Sequence, residues 1–317
     1  MRLPFTCSFF LIVFVGCSVE PPKNDDAAAR SQEENETKSN ESNSKLAAVG
    51  FSPDRNSNNV FVMSIDAEQI GTNPSEEESL TTAQTELKYS WITGKNKAEL
   101  IFHSMKASMQ QDGQQTMNVF TSRDHFELLQ NGQQLSFDYD EANPNIQARM
   151  HDSFDTPMWE LKLHKNGDEI RRKATTAPGA QQLLSNITNA TLFHVRFHPT
   201  LDEWESEKEL QGGNLGVATG TFMYQKLQTD KESKKVEIEV TGELTNEGSA
   251  SYGEVKNAEY CVKGTQTYDL EMNDWVSGNL TIEIRYELYQ HGELLADVEG
   301  TMMVVLRTEE KKVGPTP

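Results

Sequence analysis

Two histidines four residues apart, His194 and His198, are the first candidates for chemistry in this sequence. That spacing can chelate a metal ion when both residues lie on one face of a helix. The apolar residues from Phe193 to Phe197 alternate as in a strand, however, and on a strand residues four apart lie about 13 Å from each other. Arg196, between them, would also repel a cation. We therefore predict surface or interface histidines here and no metal site.

Acidic residues cluster in sequence around Trp204, and two more follow Lys235. Two carboxyl groups form the machinery of glycoside hydrolases, one as the acid and the other as base or nucleophile. The candidates are Asp202, Glu203, Glu205, Glu207, Glu209, Glu237 and Glu239. Alternation places Glu237 and Glu239 on the solvent side of a strand. In a chain with a net charge of -20, we interpret these groups as a solvated face.

Other catalytic or metal signatures are weak. Asp138 and Asp140 are spaced like the first ligands of an EF-hand, but that loop's glycine at position six and glutamate at position twelve are missing. The sequence has no Gly-x-Ser-x-Gly, no His-Glu-x-x-His and no glycine-rich phosphate loop. Cys261 lies between Tyr260 and Val262, which point the other way on a strand, and it is predicted to be a half-exposed structural cysteine. We predict no catalytic residue, metal or cofactor, and a non-enzymatic role is favoured.

The N-terminal stretch LIVFVGCSVE, residues 11–20, predicts export. The apolar block Phe9 to Val15 is about half the length of a membrane-spanning helix and is typical of a signal peptide. Gly16 and Cys17 follow it in place of an Ala-x-Ala cleavage site. This end resembles the lipobox of bacterial lipoproteins, with Phe14 where leucine is usual. The resemblance implies a signal peptide over residues 1–16 and a diacylated Cys17 that anchors the protein to the membrane.

Cysteine usage agrees with an anchored protein that has no disulfides. Of three cysteines, Cys7 leaves with the signal and Cys17 carries lipid, so Cys261 has no partner. The alternative is a eukaryotic secreted glycoprotein, since five Asn-x-Ser/Thr triplets begin at Asn35, Asn40, Asn186, Asn189 and Asn279. In a chain this rich in Asn, Ser and Thr such triplets arise by chance.

Composition divides the rest of the chain. Residues 17–46 hold few large apolar side chains and are predicted to be a disordered tether with a reach of about 30 Å. Residues 47–84 are predicted to be transitional and partly ordered, with a lone strand at Val60–Ile65. Residues 85–307 form the predicted β domain, which is large enough for one core, and residues 308–317 a disordered tail. The acidic charge predicts repulsion from nucleic acid and anionic lipid.

Hairpin signals dominate the β domain. Asn131-Gly132 predicts a two-residue turn that pairs Leu128 with Leu135 and Phe126 with Phe137. Asn166-Gly167 predicts a second turn, with Leu163 opposite Ile170, His164 opposite Glu169 and Glu160 opposite Lys173. For the last hairpin we predict a three-residue loop, Gln290 to Gly292, that pairs Leu288 with Leu294 and Ile284 with Val298. A two-residue turn at His291-Gly292 would place the two apolar sets on opposite faces of the sheet.

Period-two alternation also predicts strands at Gly216–Leu227, Lys234–Leu244 and Ala258–Met272, and only Ala177–Ile187 has a helical pattern. The predicted fold is therefore all-β and mainly antiparallel, a meander of hairpins that forms a curved sheet or open half-barrel with one short helix. With its lipobox-like start and polar tether, the chain resembles uncharacterised bacterial lipoproteins. The order of elements is also similar: a strand ending at Gly94, the turn at Gly167, a helix and a loop with Trp204.

The resemblance implies an extracytoplasmic β domain without a known activity. We expect a non-enzymatic module, lipid-anchored to the bacterial cell envelope through Cys17, that binds a protein partner or a hydrophobic ligand and no nucleic acid. The alternative is a glycan-directed envelope hydrolase whose carboxylates converge only in three dimensions. A concave apolar surface would favour binding, and a polar cleft with two buried carboxylates would favour hydrolysis.

Overall fold

The computed structural model describes residues 49–52, 55, 59–94, 96–130, 132–138, 144, 153–154, 156–174, 189–211, 217–250 and 253–309. It is an all-β structure, and its described residues include a 3-10 helix at Asn189–Phe193. The strands are β1 Val60–Thr72, β2 Glu78–Gly94, β3 Lys97–Gln111, β4 Gln114–Ser122, β5 His125–Gln130, β6 Gln133–Asp138, β7 Trp159–Leu163, β8 Glu169–Ala174, β9 Glu203–Gln211, β10 Val217–Asp230, β11 Lys235–Ala250, β12 Gly253–Asp269, β13 Asp274–Gln290 and β14 Glu293–Glu309.

These strands form one curved, open antiparallel sheet. Its order is β6-β5-β4-β3-β2-β1-β14-β13-β12-β11-β10-β9, so strands adjacent along this path are consecutive in sequence except where β1 meets β14. The β7–β8 hairpin branches from this path because the first residues of β3 pair with β7 while its later residues pair with β4. The predicted fold class is confirmed.

β1 occupies the middle of the sheet. It pairs with β2 on one side and β14 on the other along its whole length, so Val60–Thr72 is not a lone strand. The sheet thus includes residues before Thr85, where we placed the start of the β domain. The division into signal, tether and tail stays a prediction.

One face of the sheet is buried and apolar, and we call it the inner face. On the four central strands many of its side chains are at most 2 % exposed. They include Phe61, Met63 and Ile65 on β1, Leu87, Tyr89 and Trp91 on β2, Leu280, Ile282 and Ile284 on β13, and Met302, Val304 and Leu306 on β14. The alternate positions form an outer face rich in Glu, Lys and Arg. The alternation read from the sequence thus identifies the core face correctly.

Glycines at inner-face positions allow five successive strands to bend. An added Cβ at Gly220 would clash with the backbone oxygen of Glu243, and one at Gly264 with that of Asn279. Gly242, Gly278 and Gly300 occupy comparable positions on β11, β13 and β14. From Gly220 to Gly278, each glycine lies two residues from the partner of the previous one, which traces a diagonal across four strands. Glycine kinks of this kind curve a sheet.

The first predicted hairpin is confirmed. Leu128 lies opposite Leu135 and Phe126 opposite Phe137, and Gly132 has a positive φ of 78°. The second hairpin is correct only where Glu160 opposes Lys173. Our prediction for its turn end is wrong, because a bulge sets Leu163 opposite Glu169.

The three-residue loop predicted for the last hairpin is also wrong. His291 and Gly292, both with positive φ, form a two-residue turn between Gln290 and Glu293. A bulge at Leu295 then shifts the register by one residue, so that both apolar sets still lie on the inner face. Ile284 is consequently opposite Gly300 instead of Val298.

The helix predicted at Ala177–Ile187 lies outside the described residues. Among those residues, no helix is long and apolar enough to span a bilayer.

Candidate functional site

An irregular segment, Asn189 to His198, crosses the inner face at the end of the sheet where β1 begins and β14 ends. We call it the interior segment. Its first five residues are the 3-10 helix, and Leu192, Phe193, Val195 and Phe197 are buried. Phe193 packs on Gly278, where an added Cβ would lie 2.5 Å from the ring. Phe197 stacks on Tyr268, with the ring centroids 4.2 Å apart. The interior segment is thereby fixed to β12 and β13.

His194 reaches from the interior segment to the other half of the sheet. Its ring lies among the aromatic rings of Phe51, Phe61, Tyr89 and Trp91, with centroid distances of 4.8 to 6.2 Å. Nε2 is 3.1 Å from the Tyr89 hydroxyl, within hydrogen-bond distance. Burial, reinforced by nearby cations, lowers the pKa of His194 well below its usual value, and burial raises the pKa of Tyr89. The imidazole and the phenol are therefore both neutral at pH 7.

A buried ion pair lies beside these rings. Arg55 donates from Nε to Asp274 Oδ2 over 2.9 Å, and a terminal guanidinium nitrogen lies 2.7 Å from the same oxygen. The two side chains are 1 % and 2 % exposed. Asn59 and the backbone N–H of Trp275 also donate to the carboxylate. The guanidinium lies 5.0 Å from the ring centroid of Phe51. This pair joins the chain before β1 to the start of β13.

Lys208 is a further buried charged group, on the inner face of β9. Its Nζ donates to the carbonyl oxygens of Thr191, at 3.0 Å, and of His194, at 3.4 Å. Burial is the main cause that lowers the pKa of Lys208 to about 7, the Arg172 guanidinium adds to it, and Glu169 opposes it. The amine holds the interior segment against β9.

The buried lysine predicts a pH-dependent stability. Its pKa is near 10.5 in the unfolded chain and about 7 in the fold, so above pH 7 the unfolded chain binds more protons. The free energy of unfolding should rise from pH 7 to pH 9 by up to about 1.4 kcal/mol per pH unit. Lys208→Met should remove this rise, and Lys235→Met, on an exposed lysine, should keep it. Urea unfolding at three pH values measures it, and an unchanged rise in Lys208→Met would contradict the assignment.

We call His194, Arg55, Asp274 and Lys208 the buried cluster. A groove of about 610 Å³ opens beside it. Phe51 and Arg55 line it on one side, and the β2–β3 turn and the loop from Leu163 to Gly167 line the other. Three carboxylates of the described residues have buried side chains and are bound within the protein. Glu169 pairs with Arg172, and the other two are Asp269 and Asp274. Asp269 Oδ1 accepts from the backbone N–H groups of Glu271 and Met272, each at 2.9 Å. Since Asp274 is paired with Arg55, none of the three carboxylates faces the groove as a free acid or base.

The histidine prediction is wrong in two respects. Residues 194–198 are not a strand, and His194 is fully buried instead of lying at a surface. The propensity of Phe193 to Phe197 for a strand is overridden because these side chains pack into the sheet's inner face.

The other sequence candidates lie where alternation places them. Glu203, Glu205 and Glu207 are exposed on the outer face of β9, and Glu239 is exposed on β11. Asp138 lies 2.6 Å from His125 Nδ1. Cys261 is half-buried. Among the described residues, no group of three His, Cys, Asp or Glu side chains could hold a metal ion. Cys17 and Asp140 are outside the described part of the chain.

Sequence reasoning missed the buried cluster. Arg55 and Asp274 are 219 residues apart, and no local pattern joins them. The burial of Lys208 could have been predicted from the sequence, because glutamates alternate with Trp204, Ser206, Lys208 and Leu210. A strand with glutamates on one face directs this lysine to the other face, which is the inner one.

Comparisons with known proteins assign no family. No protein-family model matches the sequence, and no curated protein matches it. A lipovitellin structure is 12 % identical over 82 % of this chain and 26 % of its own, with a TM-score of 0.43. The beta domain of a Bordetella autotransporter is 5 % identical over 79 % of this chain and 98 % of its own, at 0.27. A LolA superfamily protein from Nitrosomonas europaea is 9 % identical over 83 % and 90 %, at 0.15. At these TM-scores the likenesses are remote.

Proposed function

We propose that this protein is a non-enzymatic β module that binds a hydrophobic ligand on the inner face of its sheet. In this proposal it is extracytoplasmic and anchored to the bacterial envelope through lipid on Cys17. The observation that carries the proposal is the inner face itself, which is apolar on every strand from β1 to β4 and from β10 to β14. A concave apolar surface with few polar groups is the usual form of a site for apolar ligands.

The inner face differs between its two ends. The end with the interior segment is filled by aromatic rings. Toward the other end, where β1 finishes, the inner positions carry small side chains and also methionines, whose flexible side chains adapt to irregular shapes. They are Ala67, Ala83, Ala107, Met109, Met117, Ala218, Ala258 and Ala296. We place the apolar part of the ligand at this end.

Two buried polar groups suggest that the ligand also has a polar part. The rings of Trp204 and Tyr224 stack on the inner face, with centroids 5.4 Å apart. The indole N–H and the phenol hydroxyl are buried, and neither has a hydrogen-bond partner within the described residues. Buried donors are normally satisfied, so these two can receive an acceptor group of an amphipathic ligand.

The hydrolase alternative has less support. It needs two carboxyl groups facing one cleft at a separation of about 5 to 10 Å. The buried carboxylates that the structure describes are instead used by Arg55, by Arg172 and by the turn after β12. Of the acidic residues of β9, Glu203, Glu205 and Glu207 are exposed and Glu209 is half-buried.

Ligand binding can be tested with a pyrene-labelled fatty acid and two matched variants. The native chain should bind the probe saturably. Ala107→Phe fills the inner face and should weaken binding by about tenfold or more, a loss of about 1.4 kcal/mol. Ser108→Phe adds the same ring to the outer face and should leave binding unchanged. If Ala107→Phe lowers the melting temperature without changing binding, or the native chain does not bind, the inner face is a packed core only and the proposal is wrong.

The anchor is tested separately. Cys17→Ser should move the protein from the membrane fraction to the soluble fraction and abolish incorporation of labelled palmitate. Fractionation of the native chain and the variant, with palmitate labelling of both, measures this. Unchanged membrane association and labelling would exclude Cys17 as the anchor, whatever the result for the inner face.

A further inference from the structure

Three cations stand side by side on the outer face where β3, β7 and β8 pair. Lys97 is the cross-strand partner of Lys162, and Lys162 is the partner of Arg171. All three residues are exposed. Neighbouring strands lie about 4.8 Å apart, so the three long side chains can converge on one point. We call Lys97, Lys162 and Arg171 the cationic row.

Like charges directly opposite each other destabilise a sheet. Elsewhere on the outer face, opposite charges meet across strands. Arg285 lies 3.5 Å from Glu299, Arg307 lies 3.2 Å from Glu86, and Lys88 lies 2.6 Å from Glu309. In a chain with a net charge of -20, acidic partners are abundant. Carboxylates are opposed at Glu287 and Asp297, but among the described strand pairs only the cationic row sets cations directly opposite each other.

The neighbouring carboxylates compensate the charge of the cationic row only in part, since Glu99, and less strongly Glu160, raises the pKa of Lys97. Lys97 pairs with Glu99 along β3. Within the described residues, Lys162 and Arg171 form no ion pair. Glu160 lies in the next cross-strand position, opposite Lys173, and lines the same depression, but it has no ion pair to these cations in the described part of the chain either.

The cationic row lines a depression of about 350 Å³. Its other lining residues include Asn96, Lys173 and Glu160, and Leu161 forms part of its floor. A side-chain amide and Lys173 thus add further donors around the row. The arrangement offers a planar guanidinium fork, which matches phosphate oxygens, and ammonium groups that act as point charges.

We propose that this depression binds a phosphate group, carried either by a soluble anion or by a phospholipid headgroup. A dianionic phosphate between the three side chains replaces their mutual repulsion with charge-assisted hydrogen bonds. Arg171 binds two of its oxygens, while Lys162 and Lys97 contact the others. The site is on the outer face, and it does not depend on ligand binding at the inner face.

The test uses the full chain with Cys17→Ser, so that a lipid anchor cannot bring it to membranes. Inorganic phosphate and pyrophosphate are titrated by calorimetry, and sedimentation is measured with vesicles of phosphatidylcholine with and without phosphatidylglycerol. Against this background, Lys162→Gln with Arg171→Gln should weaken binding by about tenfold or more. The matched control, Lys263→Gln with Arg285→Gln, removes the same charge from ion-paired positions and should change binding by less than about twofold.

Binding of the soluble anions alone identifies a soluble ligand, and binding of the phosphatidylglycerol vesicles identifies a headgroup. Either result supports the site if only the Lys162/Arg171 variant loses it. Equal losses of binding in both double variants would mean that net charge alone explains binding, and would overturn the proposal. Binding of neither probe would overturn it as well. The Lys162/Arg171 variant loses cross-strand repulsion and should keep its melting temperature, so loss of binding would not reflect unfolding.

Discussion

Asp274→Ala is expected to destabilise the fold by about 3 to 5 kcal/mol, because it removes the carboxylate that pairs with the buried Arg55 guanidinium. The Arg55 side chain is 1 % exposed, so its charge has little contact with water. The same change removes the acceptor for Asn59 and for the backbone N–H of Trp275. Urea unfolding of the native chain and the variant measures the loss.

An exposed ion pair provides the control. Glu299 and Arg285 have side chains that are more than 70 % exposed and lie on paired strands. Glu299→Ala should therefore cost less than about 1 kcal/mol. In the double variant Arg55→Met with Asp274→Ala, the unpaired charge is gone and part of the stability should return. Equal costs for Asp274→Ala and Glu299→Ala would show that the Arg55 pair is not buried in solution.

The strand pattern could be predicted because period-two alternation is local. Once Asn131-Gly132 is recognised as a turn, the register of its hairpin follows, with Leu128 opposite Leu135 and Phe126 opposite Phe137. Bulges are harder to predict from the sequence. Leu295 is an extra residue without a cross-strand partner, and no residue type near it indicates a bulge. The three-residue loop that we predicted satisfied the same face pattern, so the faces were predicted correctly and the pairing was not.

The sheet order and the interior segment depend on long-range contacts. The pairing of β1 with β14 joins residues more than two hundred positions apart. The sequence of an isolated apolar run such as Val60–Ile65 does not indicate which strands will pair with it. The same holds for His194, whose burial comes from rings on β1 and β2 and from the chain around Phe51. Local alternation predicts a strand there, and tertiary packing forms a 3-10 turn and an irregular chain instead.

The geometry around Ile284 makes it the strongest test of the inner face. Its side chain is 1 % exposed, with Gly300 opposite on β14 and Tyr260 opposite on β12. Gly300 has no side chain, and an added Cβ there would clash with the backbone oxygen of Glu68. The neighbours of Ile284 therefore have little means of filling a hole that its truncation leaves.

Ile284→Ala should cost about 2 to 5 kcal/mol through lost burial and an unfilled cavity. Glu283→Ala, one residue away on the outer face, removes a side chain that is 62 % exposed and lies 3.9 Å from Lys263. That change should stay within roughly 0.5 kcal/mol, as surface changes usually do. Urea unfolding of both variants, with the slope of the transition compared, measures the difference. Equal costs would mean that strand β13 does not bury one face, and a larger cost for Glu283→Ala would reverse the assignment of its two faces.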